Sequence, residues 1–278
     1  MAGRSRSINV ASWDEGAYPL NVRARDAAGN WSVVASTVLN VRGPLFYSTF
    51  GNSNPPGVGG TADDADIYGW NGAAHSRAID MTAITNPLPG GANVDGYDRV
   101  SATQFYLSFA GDVTIALPGP DLTVQDEDVV SYNAGTWSVY FDGTAHGLTA
   151  ATQDVDAISV AGGTLYFSTL GNANPPGVGG VADDADIYSW NGTSYARTWD
   201  ATADGGLAAA ANVDGYVRVD ATHFYLSFSP ATTTVPVLGT AQDEDVVYNN
   251  SGIWTTYFDG TAHGLTTDNL DVDAFDVP

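Results

Sequence analysis

Clusters of three carboxylates recur four times along this chain: Asp63, Asp64 and Asp66; Asp126, Glu127 and Asp128; Asp183, Asp184 and Asp186; and Asp243, Glu244 and Asp245. A further aspartate, Asp95, Asp156, Asp214 or Asp273, sits just inside a valine-led segment at a matching spacing. Carboxylates held within a few ångströms repel unless a proton or a cation stands between them. Only Glu15, Glu127 and Glu244 among the 32 acids are glutamates, and aspartate's short side chain suits turns and hard-cation loops. Ca²⁺, which takes six to eight oxygens in flexible geometry, is the expected structural cofactor, with these acids as its metal ligands. In the competing reading, the same residues cap turns and accept backbone N–H bonds.

Other chemistry is poorly served. Paired carboxylates can act as acid and base on a glycosidic bond, but an active site is a single asymmetric constellation and these clusters repeat. His146 and His263 stand at equivalent places in FDGTAHGL, which points to a repeated structural role. His75 and His223 show no metal-ligand spacing. Nucleophile elbows, phosphate loops and H-E-x-x-H motifs are missing, and no catalytic residue is expected.

Charge narrows the partners. The sequence carries 32 acids against nine arginines and contains no lysine or cysteine. From residue 43 onward only four of those arginines remain. Nucleic acid and anionic membranes need a cationic footprint, so neither is an expected partner. No apolar run reaches the length of a membrane span, and the opening AGRSRS has no signal-peptide stretch. That start is expected to be a cut from a longer protein.

The elements that must position the acids follow from a repeat. LFYSTFGNSNPPGVGGTADDADIYGWNG from Leu45 returns from Leu165 at an offset of 120 residues, and TVQDEDVV from Thr123 returns as TAQDEDVV from Thr240. Within each copy FYLSF stands where LFYSTF stood, so four modules of about 60 residues alternate in two flavours. Each module reads as four strands. The first kind spans 94–100, 155–160, 213–219 and 272–277, and the second 45–50, 105–109, 165–170 and 224–228. The third follows the triplets at 67–70, 129–132, 187–190 and 246–248, and the fourth covers 77–81, 136–141, 196–200 and 253–258. Period-two patterning and Asn-Gly turns support strands, and no helical periodicity competes.

Sixteen strands in four modules predict an all-β, four-bladed β-propeller over residues 43–278, two copies of a two-blade repeat. The first module lacks its own first-kind strand and the chain ends with a spare one, so strand 271–277 is expected to close the ring beside 45–50. Residues 37–41 compete for that slot. If they took it, the C-terminal strand would be free to complete a neighbour and build a filament. In each blade the first-strand aspartate is expected to face the triplet of the same blade. Trp70, Trp137, Trp190 and Trp254 recur once per module, either as inter-blade packing or as a carbohydrate platform.

Residues 1–42 read as a separate β segment. Their VRARDAAGNWS stretch resembles the last two strands of a bacterial Ig-like or fibronectin-type module, a partial domain that must dock or stay loose. The repeats over 45–278 resemble tandem Asp-rich repeats of secreted multidomain bacterial proteins. That resemblance implies an extracellular or cell-surface setting and no uniform activity. The blade count is similar to hemopexin-type propellers, and the acidic loops to calcium-binding propellers of the integrin type. TADDADIY, however, lacks the glycine of a D-x-D-x-D-G loop. The expected role is a non-catalytic structural or adhesion module with Ca²⁺-stabilised loops. The alternatives are a lectin-like propeller binding a glycan, or a subunit that self-associates through residues 1–42; a surface protein is a further candidate partner.

Overall fold

A computed structural model describes residues 16–229 and 231–278. The chain divides into two units, Met1–Pro44 and Leu45–Pro278. In the first, Gly16–Val22 pairs antiparallel with Ala35–Val41, and an isolated bridge joins Arg25 to Trp31. Residues 1–15, part of the expected Ig-like segment, lie outside the described residues.

The second unit is a four-bladed β-propeller. Blade 1 orders its strands Val272–Asp276, Leu45–Thr49, Ile67–Trp70 and His75–Ile79 from the axis outward. Blade 2 uses Val94–Ser101, Gln104–Phe109, Val129–Asn133 and Thr136–Phe141. Blade 3 uses Val155–Ala161, Thr164–Thr169, Ile187–Trp190 and Tyr195–Trp199. Blade 4 uses Val213–Arg218, His223–Phe228, Val246–Asn250 and Ile253–Phe258. The spare C-terminal strand therefore lies beside Leu45–Thr49, with Val272 opposite Thr49 and Asp276 opposite Phe46. The competing segment, Ala35–Val41, is instead the partner of Gly16–Val22. Ring closure removes the open sheet edges that would otherwise recruit other chains.

The core lies between blades. One seam packs Ile67, Ile79 and Met81 against Tyr97, Phe105 and Trp137. The next three bring Phe141 to Phe167 and Tyr188, Trp199 to Phe224 and Trp254, and Phe258 to Leu45 and Tyr47. Blades 2 and 4 carry a feature the strand reading lacks. A small hairpin, Val113–Ile115 with Leu122–Val124 or Thr232–Val235 with Gly239–Gln242, replaces the Pro-Pro-Gly loop of blades 1 and 3. Val113, Ile115 and Val124 are buried in the seam, so that hairpin is part of the core. Among the described residues no helix is long and apolar enough to cross a membrane.

Candidate metal centres

The third acid of every triplet has a structural task. Asp66 accepts from Met81 N at 3.2 Å, Asp128 from Gly143 N at 2.9 Å, Asp186 from Ala201 N at 3.0 Å and Asp245 from Gly260 N at 3.0 Å. The donor always stands 15 residues on, just past the outermost strand. In three blades the other carboxylate oxygen also closes the local turn, accepting from Gln125 N, Asp183 N or Gln242 N. These acids clamp the triplet loop to the end of the outermost strand of the same blade. These hydrogen bonds are the ones the turn-capping reading expects.

In blades 1 and 3 the clamp also carries a counter-charge. Arg77 Nε lies 3.2 Å from Asp66, and Arg197 Nε lies 3.2 Å from Asp186 and Nη1 2.9 Å from Asp200. The arginines are held in place by Asn54 and Asn174, whose Oδ1 atoms accept at 2.7 and 2.6 Å. Burial raises Asp66 to about 6 against the opposing pull of Arg77. Asp183, Asp186 and Asp200 offer oxygens mutually within 4.8 Å, yet Arg197 already occupies their charge. Asp64 and Asp184 sit beside Asn52 and Asn172, whose Oδ1 atoms accept from their backbone N–H groups.

Blades 2 and 4 lack the arginine. Their middle acids, Glu127 and Glu244, accept from the hydroxyls of Thr144 and Thr261. A Cβ on Gly143 or Gly260 would come within 2.3 or 2.4 Å of the Glu127 or Glu244 carbonyl oxygen, so only glycine fits there. The loops also meet the next blade: Val155 N donates to the Asp126 carbonyl and Val272 N to the Asp243 carbonyl, each at 3.1 Å. This contact delivers Asp154 and Asp271, which sequence reasoning missed, to the triplets. Asp243, Glu244 and Asp271 offer oxygens within 4.8 Å of one another. Burial and the charges of Asp243 and Glu244 push Asp271 up to about 7, and burial followed by Asp126 and Glu127 pushes Asp154 up to about 6. Asp126, Glu127 and Asp154 line an open depression of about 330 Å³. The missed signal was the alternation of DVD at 154–156 and 271–273 with NVD at 93–95 and 212–214.

The innermost-strand aspartates only partly follow the expected pairing. Asp273 feels Asp64 of its own blade, and Asp156 feels Asp273 of another innermost strand first and then Asp184 of its own blade. Asp95 and Asp214 instead feel the charges of the other innermost strands. The repeated aromatics divide as well. Trp137 and Trp254 are buried, whereas Trp70 and Trp190 are half-buried and pack on His263 and His146 of the preceding blade, with centroids 4.4 Å apart. His146 and His263 thus serve as seam residues.

No family model matches the chain, and no characterised protein matches it in sequence. Among solved structures it is similar to the protein titled YCF48 bound to D1 peptide, at 5% identity and a TM-score of 0.33, covering 71% of this chain and 77% of that one. YCF48 from Cyanidioschyzon merolae gives 7% identity and a TM-score of 0.31, over 84% of this chain and 94% of that one. The extracellular domain of BT4673, a putative one-component system from B. thetaiotaomicron, gives 8% identity and a TM-score of 0.34 over 96% of this chain. The chain spans 37% of that domain. Likenesses this distant add nothing about activity.

Proposed function

We propose that this chain is a non-catalytic, extracellular structural or adhesion module whose acidic loops in blades 2 and 4 bind Ca²⁺. One observation carries the reading. Asp243, Glu244 and Asp271 bring three ligand oxygens within 4.8 Å without the arginine that neutralises the corresponding cluster in blade 3. Asp126, Glu127 and Asp154 repeat those residue types in blade 2. The calcium would hold the triplet loop to the next blade's innermost strand, stabilising the ring rather than performing chemistry. Fourfold repetition of the clusters argues against a single reactive centre, and the resemblance to secreted bacterial repeats supports the extracellular setting. On this reading residues 1–42 are part of an Ig-like or fibronectin-type module.

Melting of the full chain at neutral pH, with calcium and with chelator, tests the proposal. Ligand at 100 times its Kd stabilises by about 2.7 kcal/mol, which is about 5–10 °C for a domain of this size. Overlaid curves overturn it. A lectin reading is favoured by one observation: Trp190, His146 and Tyr195 line an open depression of about 420 Å³. A glycan array that stays silent, with Trp fluorescence unmoved by glycans, removes that reading. Self-association would run through residues 1–42, because the C-terminal strand is already used within its own ring. Light scattering of the full chain and of a variant lacking those residues tests it.

A further inference from the structure

We propose that the mouth of the propeller axis is a second, separate cation site, in which Asp95, Asp156, Asp214 and Asp273 hold one divalent ion that keeps part of its water shell. Each of these residues occupies the same place in its innermost strand. In all four blades the ladder to the second strand slips there, between Val94 and Gly96, Val155 and Ile158, Val213 and Gly215, and Val272 and Phe275. Such bulges free a residue from the ladder and re-aim its side chain. The innermost strands contact both neighbours around the ring, and Val94–Ser101 also meets Val213–Arg218 across the axis. Four bulged aspartates therefore converge from four directions.

The four residues are buried, at 6, 5, 8 and 5% exposure in chain order. Oδ1 of Asp95 and Oδ2 of Asp156 and Asp273 accept no hydrogen bond from the protein. Their charges act on one another, those of Asp156 and Asp273 on Asp95, and those of Asp156, Asp273 and Asp95 on Asp214. Asp64, Asp184, Asp154 and Asp271 add negative charge from the surrounding loops. Among the described residues of the propeller no basic side chain answers them. The propeller has four arginines: Arg77 and Arg197 are committed to Asp66 and Asp186, while Arg99 and Arg218 lie over Phe46 and Tyr166. Buried carboxylate oxygens without a partner are costly, and the same bulged aspartate in every blade argues against accident.

The ring's width selects the ion's form. Among the described residues only the two loop clusters bring three acids within 4.8 Å, so the ring is wider than direct chelation by three of its members requires. Mg²⁺ keeps several waters when bound by carboxylates, and Ca²⁺ accepts water among its ligands. This site does not depend on the loop calcium proposed above, and each can fail alone.

The test counts ions. Metal-stripped full chain is titrated with Ca²⁺, and separately with Mg²⁺, by calorimetry and equilibrium dialysis. The variant Glu127→Gln/Glu244→Gln weakens the loop sites and is expected to retain one ion per chain. The variant Asp95→Asn/Asp214→Asn is expected to lose one ion while the calcium-dependent melting shift from the loops persists. Asparagine is isosteric and relieves repulsion, so the ring variant should fold, which circular dichroism checks. Should it not fold, crystals of the unaltered chain soaked in Mn²⁺ supply the answer through anomalous scattering, with a peak on the axis expected. An unchanged ion count in the ring variant overturns the proposal, as does an axis without a peak. A count of one ion per chain in the unaltered protein that Glu127→Gln/Glu244→Gln does not change overturns the loop calcium and leaves the axial site standing.

Discussion

Blades 1 and 3 and blades 2 and 4 solve one electrostatic problem in two ways. All four clamp the triplet loop with a buried aspartate that accepts a backbone N–H 15 residues on. Blades 1 and 3 place an arginine beside that acid. Blades 2 and 4 leave it out, insert a glutamate, and import another aspartate from the next blade, Asp154 or Asp271. The difference teaches that acidity alone does not mark an ion site. What matters is whether the chain supplies its own cation.

Removing that cation from blade 3 should give the largest effect. Arg197→Ala leaves the fully buried Asp186 without its partner, and breaking a buried pair costs about 3–5 kcal/mol. Because Asp183, Asp186 and Asp200 lie within 4.8 Å of one another, calcium should then restore part of the loss. Arg77→Ala in blade 1 is the control, expected to lose stability without that rescue, since blade 1 has no such three-acid cluster among the described residues. Urea unfolding with and without calcium measures both. Equal calcium responses would show that the arginine is not what separates the two kinds of blade.

The reverse exchange is milder. Arg77 and Arg197 pair across the sheet with Tyr68 and Tyr188, and the corresponding position in blade 4 is Thr256, opposite Val247. Thr256→Arg should bring a guanidinium to Asp245 and compete with calcium at Asp243, Glu244 and Asp271. About half of the calcium-dependent rise in Tm should disappear, because blade 2 keeps its own cluster. A full rise in the variant would break the comparison.

Much of this was legible in the sequence, for a physical reason. Strands in a propeller are short, bounded by turn residues and repeated, so offset alignment located all sixteen within about two residues at each end. Ring closure was legible as well, since a module without a first strand and a chain with a spare one admit few solutions. The small hairpins were not, because Val113-Thr114-Ile115 and Leu122-Thr123-Val124 are too brief to show a period. Contacts between blades were also hidden. Asp154 and Asp271 reach the triplet of the preceding blade through a backbone bond that no sequence spacing announces. Two signals were available: the alternation of DVD with NVD at the innermost strands and, in a chain with so few cations, the recurrence of Arg77 and Arg197 at the repeat offset.

A smaller effect follows where the alternation itself fails. At the fifth position of the innermost strands stand Asp276, Asp98, Ser159 and Val217 in blades 1 to 4. Asp98 accepts from Val160 N at 2.7 Å and is raised by burial to about 6. Burial, then the charge of Asp98, pushes Asp276 up to about 8, with Arg99 pulling the other way. A carboxyl raised in the fold binds its proton more tightly than in the unfolded chain. Its contribution is therefore complete at low pH and lost as pH rises from about 4 to about 8. In chelator, Tm should fall across that window. Asp276→Asn should flatten the fall and gain a few degrees at pH 8, on the scale of about 2–4 °C per kcal/mol. A pH profile identical to that of the unaltered chain would place the titration elsewhere.

The finest test exchanges one seam for another. Where blade 4 meets blade 1, His75 Nε2 donates to the His263 carbonyl at 3.0 Å while Nδ1 accepts from the Tyr47 hydroxyl at 2.7 Å. Where blade 2 meets blade 3, the same two places hold Tyr195 and Phe167, and the Tyr195 hydroxyl donates to the His146 carbonyl at 3.2 Å. Each pair is self-consistent, because a second buried hydroxyl is present only where an imidazole can receive its proton. His75→Tyr alone strands the Tyr47 hydroxyl in the core and should cost about 1–3 kcal/mol. Adding Tyr47→Phe removes the stranded group and reproduces the other seam, so the double variant should return to within about 1 kcal/mol of the unaltered chain. The double-mutant cycle measures that coupling directly. Strict additivity would mean that the two seams, alike in sequence position, are held by different contacts.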